Sequence, residues 1–305
     1  MDFAPLKEAL EVALKERTSE FRRIFHGRGG LWEELRFVTI DSFSGVVFVQ
    51  FFKLPSDEQQ EELFAILTQY VQTNNYKALV LKRRYIKGSK TELLFGEVEE
   101  NLTITENGIR FAVELFSNQN IGYFGDMRNG RSYIESIAQG KKVLNLFSYT
   151  CGFSLFASRG GASGIVNVDM SKSSLAVGMK NHQINNLETK GVSFLPYNIL
   201  KSFARLKRKA PFDVIIIDPP TFQRGSFEAT KDYQKIIAKL PQLASENAVL
   251  LACLNAPELD EEFLKQQVAS LAPSFVFQER LANLQEYKSL DEQRSLKNLV
   301  FQRKS

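Results

Sequence analysis

The segment DVIIIDPPTF, residues 213–222, constrains the fold more than any other part of this chain. Its four apolar residues from Val214 to Ile217 are all β-branched, a pattern typical of a strand that is buried on both faces of a parallel sheet. Asp218 therefore lies at the carboxyl end of that strand, the edge where open α/β sheets bind ligands. Pro219 and Pro220 cannot extend a strand ladder, and their carbonyl groups can accept hydrogen bonds from a ligand. An ordinary Asp-Pro turn after a buried strand would have the same sequence. This segment alone therefore leaves both a ligand-binding strand end and an ordinary turn open.

From residue 132 onward, predicted strands alternate with predicted helices. The predicted strands cover residues 142–147, 164–169, 192–196, 212–218 and 248–254. This βαβ series predicts a doubly wound, mostly parallel sheet with right-handed crossovers, a Rossmann-like α/β domain over residues 118–305. Residues 274–278 and 298–302 are predicted to close the sheet as late strands, which can run antiparallel to it.

Ahead of this domain, short strands mix with one or two helices. This pattern predicts a small α+β domain over residues 31–117, where we expect recognition of RNA or another substrate. Helix-compatible spacing runs from residue 2 to about residue 28, so residues 1–30 are predicted to form an N-terminal helical segment. Residues 37–50 are predicted to form a β-hairpin, and residues 56–74 an amphipathic helix.

The composition is that of a globular protein. Of the 305 residues, 44% are hydrophobic and 24% are charged, and no run approaches the roughly 18 apolar residues of a membrane span. The opening MDFAPLKEAL lacks a basic leader with an apolar core, so cytoplasm is the expected location. The two cysteines and two histidines show no metal-ligand spacing, and we expect no metal site.

The net charge of +4 permits a nucleic-acid partner without requiring one. The basic residues form three clusters: Arg22, Arg23, His26 and Arg28; Lys82, Arg83, Arg84, Lys87 and Lys90; and the stretch 201–209. Each cluster alone is compatible with a solvated surface. Together the three clusters favour an anionic partner.

The first strand of the βαβ series leads into Thr150 and Gly152. It lacks the triple-glycine fingerprint, so a nicotinamide cofactor fits poorly. A second strand ends at Asp169, about twenty residues further on, where a carboxylate usually binds the two hydroxyls of a ribose. Met170 follows, and its side chain can pack on an adenine face or belong to the core.

The motifs NLFSYTCGF, VDMS, DVIIIDPPTF and GYFGDMR together resemble those of the class I S-adenosylmethionine-dependent methyltransferases that modify bacterial large-subunit (23S) ribosomal RNA. They are similar to the group that contains the cytosine-C5 and guanine-N7 enzymes. The resemblance extends from about Leu31 through Asn255, because LRFVTIDSFSGVVFVQ and ALVLKRRYIKGSK are similar to that family's small domain. It implies S-adenosyl-L-methionine as the cofactor and RNA, either 23S rRNA or a large-subunit precursor, as the partner.

The resemblance also implies roles for individual residues. It places the methionine moiety of the cofactor against residues 147–150 and its ribose on Asp169. Asn198 stands where the family has an aspartate that reaches the adenine amine, and its oxygen can accept the same bond without charge. The implied cofactor-binding residues are Tyr123, Phe124, Asp126, Arg128, Phe147, Ser148, Tyr149, Thr150, Gly152, Asp169, Met170, Ser171, Asn198 and Asp218.

The implied catalytic side consists of Asp218, Pro219, Pro220 and Phe222. A base with an exocyclic amine can donate a hydrogen bond to Asp218 or to the Pro219 carbonyl. Phe222 offers a stacking face for a base that has left its helix.

Cys253 bears on which atom receives the methyl group. Cytosine C5 is not nucleophilic, so enzymes that methylate it first add a cysteine thiolate to C6. Cys253 ends a predicted strand at a position similar to the cysteine of the cytosine-type relatives. Guanine N7 needs no covalent catalysis, and the DPPTF sequence is similar to that of the guanine-type relatives. Cys253 can also be a small buried apolar residue, so the methylated atom stays open.

Two other hypotheses stay open as well. The chain can be a methyltransferase that acts on a small molecule or a protein, or a non-catalytic RNA-binding assembly factor on the same fold. The family often carries an additional N-terminal RNA-binding module, whereas only about thirty residues precede the small domain here. We therefore expect recognition by the small domain, by basic surfaces or by a partner. The oligomeric state is open, and a homodimer is one option.

Overall fold

A computed structural model describes residues 2–16, 18–117, 119–223 and 227–304. It divides into two compact units. The first unit comprises Met1–Gly125 and Leu284–Asp291, and the second comprises Asp126–Asn283 and Glu292–Ser305. Within the described residues, no helix combines the length and the hydropathy that crossing a membrane requires.

The first unit is built on a five-stranded sheet with the order β1-β2-β3-β4-β5. A separate hairpin of β6 and β7 and two helices accompany this sheet. The strands are β1 Arg22–His26, β2 Val38–Phe43, β3 Val46–Phe51, β4 Ala78–Arg83, β5 Thr91–Gly96, β6 Thr103–Glu106 and β7 Ile109–Ala112, and the helices are α1 Ala4–Lys15 and α2 Asp57–Thr73.

Local sequence signals explain two of these elements. The turn between β2 and β3 uses Ser44 and Gly45, both with positive φ, which suits a tight hairpin. Helix α2 begins with a capping box: the Ser56 side chain accepts a hydrogen bond from the Gln59 N–H, and the Gln59 side chain accepts one from the Ser56 N–H. The predicted hairpin and the predicted amphipathic helix are therefore confirmed.

The prediction of helix from residue 2 to about residue 28 is wrong in its second half. Helix α1 ends at Lys15, and Arg22–His26 forms the edge strand β1, which pairs antiparallel with β2. Ile24 and Phe25 are buried there. Strand pairing with β2 outweighs the helix-compatible spacing of the apolar residues, as tertiary context often does.

The second unit contains a seven-stranded sheet, a small two-stranded sheet of β12 and β13, and seven helices among its described residues. The strands are β8 Lys142–Leu146, β9 Gly164–Asp169, β10 Val192–Pro196, β11 Phe212–Ile217, β12 Phe222–Gln223, β13 Phe227–Glu228, β14 Ala244–Leu254, β15 Phe275–Leu281 and β16 Lys297–Arg303. The helices are α3 Arg128–Ile137, α4 Gly152–Arg159, α5 Lys172–Ile184, α6 Phe203–Lys207, α7 Ala229–Ile237, α8 Leu240–Leu243 and α9 Glu261–Leu271.

The strand order of the large sheet is β10-β9-β8-β11-β14-β16-β15. Strands β10, β9, β8, β11 and β14 run parallel to one another, whereas β16 is antiparallel to both β14 and β15. The chain order reverses between β8 and β11, which creates a topological switch point there. The predicted Rossmann-like α/β fold with late closing strands is confirmed.

Strand β11 forms the centre of this sheet, as its apolar run predicts. Its residues Val214–Ile217 pair with Val143–Leu146 of β8 on one side and with Val249–Ala252 of β14 on the other. All four side chains are at most 1% exposed. Alternate residues join the two apolar layers that cover the two faces of the sheet, so Asp218 emerges where both layers end.

Candidate active site

Three neighbouring parallel strands of the second unit end at the same edge of the sheet. Strand β8 leads into the loop 147–151, β9 ends at Asp169, and β11 is followed directly by Asp218. Because β8 lies between the other two, the loop 147–151 stands next to both carboxylates in strand order. The site is thus built at the switch point, where the topology leaves a crevice.

The loop 147–151 has an unusual backbone. Phe147, Tyr149 and Cys151 have φ values of 58°, 47° and 64°, a left-handed conformation that costs a non-glycine residue about 1 kcal/mol or more. Two backbone hydrogen bonds hold the loop: the Ser148 N–H donates to the Val168 carbonyl at 3.1 Å, and the Cys151 N–H donates to the Ser148 carbonyl at 2.7 Å. Strain that the surroundings maintain in this way is typical of ligand-binding loops.

The Asp169 carboxylate is fixed by the backbone on both sides. Its Oδ2 accepts a hydrogen bond from the Tyr149 N–H at 2.9 Å, and its Oδ1 accepts one from the Ser171 N–H at 2.8 Å. Each oxygen keeps a further lone pair for a ligand hydroxyl. The Ser171 hydroxyl caps helix α5 by accepting a bond from the Ser174 N–H at 3.1 Å. Ser171 therefore orients Asp169 with its backbone and begins a helix with its side chain.

A small cleft opens beside this carboxylate. Its lining residues are Phe147, Asp169, Met170, Asn198, Ile199, Leu200 and Gln223. Met170 is 44% exposed, which leaves an apolar face available to a planar ring. The Asn198 side-chain oxygen accepts a hydrogen bond from the Lys201 N–H at 3.2 Å, and its amide nitrogen lies 3.6 Å from the Met170 sulfur. The structure brings Phe147, Asp169, Met170 and Asn198 together as the sequence predicts.

A second, larger and more open cleft adjoins the first, because Asn198, Leu200 and Gln223 line both. Phe222 also lines it and is 64% exposed. The predicted stacking residue therefore lines the cleft that adjoins the Asp169 cleft. Leu200 and Gln223 were not predicted, although they lie next to predicted positions in the sequence.

Helix α5 packs closely behind the loop 147–151. A Cβ at Gly178 would lie 2.4 Å from the Cys151 sulfur, so a larger residue does not fit there without movement. The Asn181 side-chain amide donates a hydrogen bond to the Thr150 carbonyl at 3.1 Å. Cys151 itself is fully buried, and burial raises the pKa of its thiol to about 12. These contacts give Cys151 a packing role.

Asp218 lies near two other charged side chains, and the sequence predicted only one of them as a site residue. Burial, together with the nearby Asp126 carboxylate, raises the pKa of Asp218 to about 7, and the Arg131 guanidinium opposes that shift. Arg131 is only 4% exposed. It lies three residues after the predicted Arg128, but its approach to Asp218 depends on how α3 packs. Pro219 is buried and Pro220 is exposed.

Cys253 lies on β14, one residue beyond the pair Ile217 and Ala252. Its side chain is 1% exposed and belongs to an apolar cluster with Met127 and Phe153. Burial, followed by the Asp218 carboxylate, raises the pKa of its thiol well above the ordinary value. Ionisation of this thiol is therefore disfavoured in this environment.

The remaining predicted residues are divided between the two units. In the first unit, Tyr123 is buried and donates a hydrogen bond to the Glu106 carboxylate, and Phe124 is 45% exposed. In the second unit, Arg128 begins α3 and Gly152 begins α4. Tyr123 and Phe124 thus belong to the first unit, and the cleft residues belong to the second.

The residues present suit a nucleoside-containing cofactor such as S-adenosylmethionine. A carboxylate with free lone pairs faces the cleft next to an exposed apolar side chain. The buried Ser148 hydroxyl has no nitrogen or oxygen partner among the described residues, but it interacts with the Cys151 thiol. No group of three or more His, Cys, Asp or Glu side chains within the described ranges is arranged to hold a metal ion.

Comparisons with known proteins identify similar chains. A family model described as S-adenosylmethionine-dependent methyltransferase matches residues 22–302. The ribosomal RNA large subunit methyltransferase I of Aeromonas salmonicida is 30% identical over 243 residues, which are 77% of this chain and 61% of that protein. The enzyme of the same name from Photobacterium profundum is also 30% identical over 243 residues, with the same coverage. The chain thus spans about three fifths of the length of these relatives.

Two solved structures superpose closely on this chain. A "putative sam-dependent methyltransferase" from Streptococcus mutans superposes with a TM-score of 0.86 at 26% identity, covering 99% of this chain and 82% of that one. A second solved chain, described as "a putative methyltransferase complexed with SAH", also has a TM-score of 0.86, at 25% identity and with the same coverage.

Proposed function

The chain belongs to the S-adenosylmethionine-dependent methyltransferase family, and from that premise we propose that it methylates a base of large-subunit ribosomal RNA. The observation that carries the proposal is the arrangement of the two adjoining clefts in the second unit. One is lined by Asp169 and Met170, and the other exposes the aromatic ring of Phe222. A nucleoside cofactor and a flipped base each need one such surface.

In this proposal the cofactor is held by residues of the first cleft. Asp169 binds the ribose hydroxyls with its remaining lone pairs, and Met170 packs on the adenine. The loop 147–150 receives the methionine moiety, with the Ser148 hydroxyl as a hydrogen-bonding group. The adenine contact of Asn198 uses the second lone pair of its oxygen, because the first already accepts from the Lys201 N–H. When bound, S-adenosylmethionine supplies an electrophilic methyl group on a sulfonium.

The base-binding side is formed by Asp218, Pro219, Pro220 and Phe222. The ionised Asp218 carboxylate and the Pro219 carbonyl accept hydrogen bonds from an exocyclic amine, and Phe222 stacks on the base. These contacts hold the acceptor atom in line with the methyl group, at a separation of about 3 to 3.5 Å. Positioning of this kind supplies much of the acceleration in a direct displacement.

We propose that the acceptor is a ring nitrogen such as guanine N7. Attack by a cysteine would need a thiolate, whereas the Cys253 thiol is buried in an apolar cluster with a raised pKa. A nitrogen lone pair needs no such nucleophile. The burial of Cys253 therefore favours the guanine-type chemistry over the cytosine-type chemistry.

The test is methyl transfer from labelled S-adenosylmethionine to total ribosomal RNA from cells that lack this protein. We expect incorporation into large-subunit RNA, and nucleoside mass spectrometry should then detect 7-methylguanosine. Incorporation into 5-methylcytidine would overturn the assignment of the atom. Incorporation only into small molecules or protein, or none with any acceptor, would overturn the RNA substrate or the catalytic role.

A further inference from the structure

Three strands of the five-stranded sheet in the first unit end at the same edge. Strands β1 and β3 are both antiparallel to β2, and β4 is parallel to β3, so β1, β3 and β4 run in the same direction. Arg28 follows the end of β1, Phe52 follows β3, and Arg84 follows β4. The topology therefore gathers two arginines and one aromatic residue from distant parts of the chain.

Both arginine side chains lie near the Phe52 ring. The guanidinium carbon of Arg28 lies 4.2 Å from the centroid of the Phe52 ring, and that of Arg84 lies 6.0 Å from it. Both distances are within the range of cation–π attraction. Arg28 is exposed, and Phe52 and Arg84 are partly exposed. We call Arg28, Phe52 and Arg84 the arginine–aromatic cluster.

The backbone at this edge is fixed, so the cluster does not depend on a loose loop. The Phe52 N–H donates to the Phe37 carbonyl at 2.7 Å, and the Arg84 N–H donates to the Phe51 carbonyl at 2.7 Å. The Arg84 side chain also donates to the Gln119 carbonyl and to Asn120 Oδ1, the latter at 2.8 Å. The cluster is therefore preorganised for binding.

The neighbouring stretches 27–32, 52–56 and 82–90 contain basic residues and no acidic residue. Lys82 and Arg83 are used internally: the Lys82 ammonium donates to the Ser89 carbonyl at 2.7 Å, and Arg83 pairs with Glu92 at 2.7 Å. The residues that face outward are Lys53, Leu54, Ile86 and Lys87. Cations and apolar side chains thus alternate around the cluster.

We propose that the arginine–aromatic cluster binds a single-stranded segment of RNA. This inference rests on the proposed function and identifies the residues of the first unit that bind the substrate. A guanidinium that lies on an aromatic ring presents a flat cationic face on which a base can stack, and its N–H groups can donate to phosphate. Lys53 and Lys87 then neutralise flanking phosphates. A folded protein partner would not need a stacking platform surrounded by cations.

The test measures binding of the full chain to a fluorescein-labelled single-stranded oligoribonucleotide by fluorescence anisotropy. Phe52→Leu keeps an apolar side chain but removes the ring, and we expect about tenfold weaker binding. Phe52→Tyr keeps the ring and should bind as the wild type does. Phe116→Leu is the matched control, because Phe116 is an aromatic residue of the same unit that is 41% exposed and lies outside the cluster.

Arg28→Gln tests the charge. It should weaken binding and reduce the slope of log affinity against log salt by about one, because one cation fewer contacts phosphate. Lys7→Gln, on the exposed surface of helix α1, serves as the charge control. An unchanged slope for Arg28→Gln would contradict a phosphate contact at this residue.

The inference is wrong if Phe52→Leu binds RNA as tightly as the wild type does, or if the wild type binds none. Its failure is separable from that of the proposed function, since anisotropy requires no methyl transfer. If Phe52→Leu methylates ribosomal RNA with the KM of the wild type, the cluster does not bind the substrate, and the proposed function is unaffected. If RNA binding depends on the Phe52 ring but no RNA is methylated, the inference about the cluster is supported and the proposed function is wrong.

Discussion

The backbone N–H of Tyr149 donates a hydrogen bond to Oδ2 of Asp169 at 2.9 Å. The strained loop after β8 and the acidic end of β9 are thereby joined into one structure. Replacing Asp169 with asparagine places an amide donor against the N–H of Tyr149 or of Ser171, and it removes the charge that would bind ribose hydroxyls. We expect about 100-fold weaker binding of S-adenosylmethionine, measured by calorimetry, because two hydrogen bonds to a charged group are weakened.

Asp213→Asn is the matched control for that experiment. The Asp213 carboxylate accepts bonds from the Lys142 N–H at 2.9 Å and from the Ser245 hydroxyl at 2.7 Å, near the amino end of β11. Its loss should lower the free energy of unfolding without changing cofactor affinity. Equal affinities in wild type and Asp169→Asn would show that the carboxylate does not bind the cofactor.

A second prediction concerns the pH dependence of methyl transfer. Because the pKa of Asp218 is raised from 3.8 to about 7, its ionised, hydrogen-bond-accepting form becomes populated only as the pH rises through neutrality. We expect kcat/KM to rise with pH, to be half-maximal near pH 7 and to level off about one pH unit higher. Asp218→Asn should lower kcat/KM about 10- to 100-fold and remove that acidic limb. An identical limb in the variant would assign the titration to another group.

The raised pKa of Asp218 has the opposite effect on the free energy of unfolding. The folded state retains the Asp218 proton at pH values where the unfolded chain has released it. The contribution of this group to the free energy of unfolding is therefore largest below pH 4 and falls as the pH rises from about 4 to 7. Denaturant unfolding of Asp218→Asn should show a weaker loss of stability across that window than the wild type shows.

Replacement of Cys253 separates the two candidate chemistries. Cys253→Ala should retain methyl transfer within a few-fold of the wild type, at a cost of about 1 kcal/mol in the free energy of unfolding for the lost packing. Cys151→Ala, which removes the other buried thiol, is the comparison. A fall in kcat of about 1000-fold or more, with cofactor affinity unchanged, would establish covalent catalysis instead.

The packing of α5 against the loop 147–151 gives a further test. Gly178→Ala should lower the free energy of unfolding by about 1 to 3 kcal/mol and weaken cofactor binding, since the added methyl group meets the Cys151 sulfur. The double variant Gly178→Ala with Cys151→Ala should recover part of both losses. Strictly additive losses, measured by unfolding and calorimetry, would mean that the two side chains do not interact.

Much of this site could be predicted from the sequence because it depends on strand ends. The apolar runs before Asp169 and Asp218 define strands, and parallel topology places their carboxyl ends at one edge. The resemblance to the methyltransferase family is confirmed by the family match over residues 22–302. The roles assigned to individual residues stay predictions until the variants are measured.

Other features depend on packing that no local pattern records. The left-handed backbone of Phe147, Tyr149 and Cys151 falls on residues that rarely adopt it, whereas glycine or asparagine would have signalled it. Arg131 approaches Asp218 only because α3 brings it there. Residues Arg22–His26 have spacing that suits a helix as well as an edge strand, and only pairing with β2 decides between them.

The burial of both cysteines has a practical consequence for measuring these effects. Cys151 and Cys253 are at most 1% exposed, so a maleimide dye has little access to either in the folded protein. A cysteine introduced at the exposed Lys141, at the amino-terminal end of β8, should therefore be modified selectively. One fluorophore can then report binding to the native protein while its own cysteines stay in place.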